Sequence, residues 1–226
     1  MKKHFTPIQK LHFLKNTIAV LCFLLLYSCA SKPPFEKGNF IKSDLVELVK
    51  IDPTLQLDIR YATSNNFIGQ PVYIEPKAFL QRPAAKALAK VNAELKPLGY
   101  GLLIFDGYRP WSVTKLFWDS TPKNKKNFVA NPKKGSRHNR GCAIDLTLYN
   151  LSTGKQVPMT SDYDEMNENA YPNFTGGTQE QRNNRDLLIQ KMETNGFKVY
   201  KYEWWHFDFQ GWEVYQIQNI PFSEIK

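Results

Sequence analysis

The spacing of apolar residues along this chain predicts short strands interleaved with longer helices. Residues 55–61 alternate apolar and polar side chains with period two, which is typical of a half-buried strand. Residues 83–96 repeat their apolar positions with helical spacing, and a Pro and a Gly follow to end the helix. The other predicted elements are strands at 45–51, 102–105 and 143–148, a helix beginning near 113 with Ser112 as its cap, a helix from 178 to 195 opened by a capping box, an irregular excursion at 150–177, and two strands between 197 and 209.

The first residues of the chain have the composition of a secretory leader. Residues 1–28 hold four lysines and no acidic residue, and their apolar run is too short to span a bilayer as a helix. The run ends in LYSC, which resembles a bacterial lipobox and predicts lipidation at Cys29, with attachment to the cell envelope facing the periplasm. An uncleaved signal anchor and a simple signal peptide remain alternatives. Residues 29–40 are the expected tether, and the length of residues 41–226 suits one domain.

Charge and cysteine content restrict the function classes. Removing the four lysines of the leader lowers the formal charge from +9 to +5, because 26 basic residues then face 21 acidic ones. The lysines at 123–134 have only one aromatic residue among them, Phe128, and no series of stacking aromatics, so a solvated loop is expected and a nucleic-acid partner is not. Cys142 is the only thiol left once the leader and lipid are assigned, and its apolar neighbours favour a packed side chain over a catalytic thiolate.

Two short segments carry the candidate chemistry. The first contains His138 and Asp145, and the second contains Glu203 and His206. Two imidazoles and a carboxylate are a usual ligand set for a hydrolytic zinc, with the fourth position open for water. A carboxylate at 203 can take the proton of that water and pass it to a leaving amine. A lone His is more often structural, but the chain has only four, and the other two lie in the leader.

These segments resemble the motifs of zinc D-alanyl-D-alanine dipeptidases of the VanX type. The likeness runs from about residue 41 to 215 and rests on four ordered segments: YATSNNF at 61–67, DGYRP at 106–110, SRHNRGCAID at 136–145 and EWWH at 203–206. The resemblance implies one zinc per chain and hydrolysis of D-alanyl-D-alanine to two D-alanines. It also implies that Arg109 faces the developing oxyanion, that Ser136 helps to hold the substrate carboxylate, and that Asp164 binds the substrate ammonium.

The expected fold is an α+β single domain, in which a small, mainly antiparallel sheet flanked by helices carries a zinc site in a cleft. One local feature is unexplained, because residues 203 and 206 would point to opposite faces of an unbroken strand. The ammonium site also departs from the family pattern. The family segment has Gly in second place, whereas this chain reads MTSDYD at 159–164, which lacks that Gly and contains a second carboxylate, Asp162.

Two other function classes remain open. The nearer is a zinc D,D-carboxypeptidase or endopeptidase acting on peptidoglycan stem peptides, which would need an open groove in place of an ammonium clamp. The farther is a lipid-anchored wall-binding protein that keeps the fold without catalysis, although Glu203 beside the three ligands argues against it.

Overall fold

The computed structural model describes residues 32–226, and residues 33–226 form one compact unit. Seven strands and four α-helices lie in this part of the chain. In chain order they are β1 (Leu45–Glu47), α1 (Leu48–Ile51), β2 (Gln56–Leu57), β3 (Phe79–Gln81), α2 (Arg82–Leu95), β4 (Tyr100–Asp106), α3 (Trp111–Ser120), β5 (Ala143–Asn150), α4 (Gln179–Thr194), β6 (Phe197–Tyr200) and β7 (Glu203–Phe209).

The central sheet has five strands in the order β2-β4-β5-β7-β6. Only β2 pairs in parallel, with β4, and every other pairing in this sheet is antiparallel. Strands β1 and β3 form a separate antiparallel pair. Leu88 of α2 and Leu188 of α4 are fully buried in the same core as Leu102, Ile104 and Leu146 of the sheet. The predicted fold class, a small, mainly antiparallel sheet flanked by helices, is confirmed.

The two longest helices begin and end where their sequences indicate. Helix α2 buries its apolar stripe completely, and Gly99 adopts a left-handed φ of 87° after the following turn. At the start of α4, the Gln181 amide donates to Thr178 Oγ1 at 3.2 Å, and the Thr178 amide donates to Gln181 Oε1 at 2.7 Å. This reciprocal capping box satisfies two backbone donors that would otherwise lack partners.

Three local predictions are wrong. The predicted strand at 45–51 ends at residue 47, because α1 begins there and the Leu48 amide donates to Ala78 O at 2.9 Å. The strand predicted at 55–61 reduces to β2, since the Tyr61 carbonyl accepts from the Val72 and Tyr73 amides and residues 60–62 form a 3-10 turn. Helix α3 begins at 111, so Ser112 is not its cap, and the Ser112 amide donates to Asn219 Oδ1 instead.

The predicted leader and Cys29 lie outside the described residues. Within residues 32–226, no helix is both long enough and apolar enough to cross a membrane. Part of the predicted tether contacts the domain, because Glu36 forms an ion pair with Arg140 and its Oε2 accepts from the Ile217 amide at 2.7 Å. The last residues before the domain are therefore held against its surface.

Candidate active site

Three elements bring the predicted metal ligands together. His138 begins a 3-10 turn (His138–Arg140), and Gly141 follows it with a left-handed φ of 70°. Asp145 lies on β5 and His206 on β7, and the two are direct partners in the antiparallel ladder. Residues 61 positions apart in sequence thus become neighbours through strand pairing alone.

A bulge in β7 explains how the side chains of residues 203 and 206 can lie on the same side of the sheet. Val199 of β6 pairs with Phe207, whereas the next residue, Tyr200, pairs with Glu203. Three residues of β7 therefore have no partner on β6, and the alternation of side chains is reset between 203 and 206. As a result, Glu203 Oε2 lies 3.8 Å from His206 Nδ1.

The two tryptophans within the bulge have different environments. Trp204 is fully buried in the core, and its indole N–H donates to Ser161 Oγ at 2.8 Å. Trp205 is also buried but lines the cavity beside the candidate ligands. Trp204 is therefore a core residue, whereas Trp205 both packs in the core and shapes the cavity. The bulge needs no glycine because none of residues 203–206 has a left-handed backbone.

The three candidate ligands present one atom each to a common point. His138 Nε2 lies 3.1 Å from His206 Nδ1 and 3.4 Å from Asp145 Oδ1, and the latter two atoms are 2.9 Å apart. Donor atoms around a tetrahedral zinc with bonds of 2.0–2.1 Å are separated by about 3.3 Å. Because His138 Nδ1–H donates to Gly107 O at 2.7 Å, its Nε2 is free to act as a ligand. The donor set and its spacing fit zinc.

Arg109 provides a fixed cation beside this cluster. Its Nε donates to Asp106 Oδ2 at 2.8 Å, and its Nη2 lies 3.5 Å from Asp145 Oδ2. The guanidinium also stacks over the Phe117 ring, 4.7 Å from the centroid. Burial lowers the pKa of Arg109, but Asp106, Tyr61, Tyr73 and Asp145 together raise it more, so the pKa lies above its ordinary value. Arg109 is therefore both a buried ion-pair partner and a charge held at the cavity wall.

Besides Asp145 and Asp208, the acidic side chains of Glu203 and Asp164 line the same cavity, which has a volume of about 380 Å³. Burial raises the pKa of Glu203 to about 8, and its carboxylate accepts no hydrogen bond from any residue between 32 and 226. Burial, followed by repulsion from Asp145, raises the pKa of Asp164 to about 7. The Tyr61 hydroxyl lies 3.1 and 3.0 Å from the two oxygens of Asp164. Among the described residues, Asp164 thus faces the cavity without a basic side chain bonded to it, whereas the Glu203 carboxylate has one basic neighbour, His206 Nδ1 at 3.8 Å.

The backbone of Asp164 is unusual. Its φ of 63° makes it the only residue other than glycine with a left-handed backbone in the described part of the chain. Such a conformation costs an ordinary L residue roughly 1–2 kcal/mol, and Asp tolerates it better than most. A carboxylate held toward a cavity by a strained backbone indicates a function for that position.

The remaining predicted site residues are also placed clearly. Ser136 is buried at the cavity wall, where its Oγ accepts from the His138 amide at 3.2 Å. Asp162 is exposed and does not line the cavity, so of the two carboxylates in MTSDYD only Asp164 belongs to the site. Sequence reasoning missed Tyr163 and Asp208, which contact the candidate ligands but follow no motif spacing.

Comparisons with known proteins show the family to which this chain belongs. A family model described as D-ala-D-ala dipeptidase, peptidase M15, matches residues 42–224. A curated D-alanyl-D-alanine dipeptidase from Enterococcus faecalis is 37% identical over 168 residues, covering 66% of this chain and 83% of that protein. One from Enterococcus faecium is 39% identical with the same coverage. One from Escherichia coli is 33% identical over 181 residues, covering 80% of this chain and 92% of that protein. The resemblance seen in the four motifs is confirmed, and the chain belongs to the D-alanyl-D-alanine dipeptidase family of M15 peptidases.

Proposed function

We propose that this protein hydrolyses D-alanyl-D-alanine to two D-alanines, with one zinc ion held by His138, Asp145 and His206. The observation that carries the proposal is the convergence of three ligand atoms, all within 4.8 Å of one another, beside Glu203 in a cavity of dipeptide size. The names of the curated relatives support the choice of substrate. When bound, zinc would supply a Lewis acid that makes water nucleophilic near neutral pH and polarises the peptide carbonyl.

Glu203 is the general base in this proposal. It stands 3.8 Å from a ligand nitrogen, and no hydrogen bond within residues 32–226 occupies its carboxylate. It accepts a proton from the attacking water and delivers that proton to the nitrogen of the departing D-alanine. Its buried position disfavours a permanent charge, which suits a group that must hold a proton between the two transfers.

Arg109 stabilises the charge that develops on the substrate carbonyl oxygen. Because Asp106 already fixes the guanidinium, no reorganisation is needed when that charge appears. Asp106 is itself held by the Tyr73 hydroxyl and the Gly107 amide, each 2.9 Å from Oδ1. Donors of this kind contribute about 3 kcal/mol to transition-state stabilisation.

Asp164 and Ser136 bind the two ends of the dipeptide. The Asp164 carboxylate faces the cavity, accepts only the Tyr61 hydroxyl and forms no ion pair with a residue in the described range, so a substrate ammonium complements it. Ser136 lies at the wall next to His138 and can donate its hydroxyl to the substrate carboxylate. This clamp favours the dipeptidase over a carboxypeptidase, whose stem-peptide substrates carry no ammonium at that point.

Released D-alanine is the decisive measurement. The zinc-loaded protein is assayed with D-alanyl-D-alanine and with a pentapeptide stem that ends in the same two residues. Release from the dipeptide is expected to exceed release from the stem, to stop after chelation and to return with zinc. A preference for the stem would replace the dipeptidase with a carboxypeptidase. Hydrolysis of neither substrate by zinc-loaded protein would leave a wall-binding role.

The location at the cell envelope is a further part of the proposal and rests on sequence alone. The LYSC segment predicts a lipid anchor at Cys29, and stable attachment needs more than one acyl chain. Cys29→Ser is expected to move the protein out of the membrane fraction or to block its maturation. If the variant stays in the membrane with its leader intact, residues 1–28 act as an anchor instead.

A further inference from the structure

We propose that Tyr163 is a positioning residue for the metal site, acting through Asp145; the inference rests on the zinc site of the proposed function. The Tyr163 hydroxyl donates to Asp145 Oδ2 at 3.0 Å. The other oxygen of that carboxylate, Oδ1, faces the nitrogens of His138 and His206 at 3.4 and 2.9 Å. The hydroxyl therefore holds the outward oxygen while the inward one is presented for ligation.

Tyr163 does not reach the substrate. Its side chain is buried and is absent from the cavity lining. The ring stacks on Phe105, with centroids 4.5 Å apart, and meets the edge of Trp205 at 5.5 Å. Because the core fixes the ring, the position of the hydroxyl is imposed before any metal binds. Its contribution must pass through Asp145.

Tyr163 completes a pattern shared by the three candidate ligands. Each ligand has a second polar atom, and each of those atoms has a partner in the protein. His138 Nδ1 is bonded to Gly107 O at 2.7 Å, and His206 Nε2 lies 3.0 Å from Asp208 Oδ1. For Asp145 the close partner is Tyr163, since Arg109 Nη2 is 3.5 Å away.

The expected effect follows from the freedom that the carboxylate would gain. Without the hydroxyl, Asp145 can rotate about its terminal bond and turn toward Arg109, so the ligating orientation must be imposed when zinc binds. Loss of outer partners of this kind typically weakens metal affinity by 10- to 100-fold. Tyr163→Phe keeps the packed ring and removes only the hydroxyl, and we expect the zinc dissociation constant to rise by about tenfold or more.

The test measures zinc affinity by competition with a chromophoric chelator, separately from D-alanine release. Tyr149→Phe is the matched control, because its hydroxyl donates to Thr54 O at 3.1 Å from the same strand as Asp145. Cobalt(II) serves as a second probe, since its visible bands report ligand geometry. The bands are expected to change in Tyr163→Phe and to stay unchanged in Tyr149→Phe.

The outcomes separate this inference from the proposed function. Wild-type protein that binds zinc and releases D-alanine, together with unaltered zinc affinity in Tyr163→Phe, would overturn the inference alone. An equal loss of affinity in Tyr149→Phe would also overturn it, because the effect would then come from general loosening of the core. Wild-type protein that binds no zinc would overturn both.

Discussion

Asp164→Asn tests whether the cavity recognises a free dipeptide by its ammonium. The substitution keeps the size of the side chain and one oxygen that can accept from the Tyr61 hydroxyl. It also suits the backbone, because Asn tolerates the left-handed φ of 63° found at this position. The fold should therefore survive, and the main change is the loss of negative charge at the cavity wall.

The expected fall in kcat/KM follows from the charge of the substrate ammonium, which Asp164 would pair with. Within residues 32–226, Asp164 has no ion-pair partner, so the substrate ammonium would form its only charged hydrogen bond. Hydrogen bonds to charged groups contribute about 1.5–3 kcal/mol. Since about 1.4 kcal/mol corresponds to a factor of ten, kcat/KM for D-alanyl-D-alanine should fall by roughly 10- to 150-fold.

The assay compares two ligands of nearly the same shape. Propionyl-D-alanine lacks only the amine of the dipeptide, and its inhibition constant against dipeptide hydrolysis should change little in Asp164→Asn. Asp162→Asn is the control, because this exposed carboxylate lies two residues away and outside the cavity. Equal losses for both ligands, or an unchanged kcat/KM for the dipeptide, would refute the ammonium clamp and favour the carboxypeptidase.

Three further predictions concern the general base Glu203, the metal, and Gly107, whose carbonyl accepts a hydrogen bond from His138. Glu203→Gln breaks no hydrogen bond among residues 32–226, so zinc content should stay at one ion per chain while turnover falls by at least about 10²-fold; normal turnover would exclude this base. Dialysis against a chelator should lower the unfolding temperature, and zinc at 100 times its dissociation constant should restore about 2.7 kcal/mol; a metal-independent unfolding temperature would contradict the site. Gly107→Ala should destabilise the fold by about 1–3 kcal/mol, because a Cβ there would lie 2.7 Å from Phe79 O. It should also weaken zinc binding, because the Gly107 carbonyl accepts from His138 Nδ1. An unaffected protein would show that the backbone at Gly107 can move away from Phe79 at little cost.

Much of the fold is accessible from local sequence patterns. The capping box at Thr178 and the helical stripe over 83–96 place two helices correctly because their signals lie within a few residues. The alternation in 143–148 likewise places Asp145 on the face opposite the aliphatic side chains of β5. The same local rules fail at 55–61, where the carbonyl of Tyr61 bonds to the loop at 72–73 instead of continuing a ladder.

The parts of the site that sequence reasoning missed depend on contacts between distant segments. The bulge in β7 follows from its different registers with β5 and β6, and no glycine marks it. Tyr163 reaches Asp145 from a loop 18 residues further along the chain, and no local pattern indicates that contact. Asp208 is the exception, because it lies two residues after His206 on β7, where side chains share a face.

The site and the sheet are built by the same pairings. Asp106 at the end of β4 lies opposite Asp145 of β5, which in turn lies opposite His206 of β7. Three adjacent strands thus present the anchor of Arg109 and two candidate ligands in one row across the sheet. A slip of one residue in either pairing would turn a ligand to the opposite face, because side chains alternate with period two. The hydrophobic residues that fix the register, such as Ile144 and Phe207, therefore also fix the geometry of the proposed chemistry.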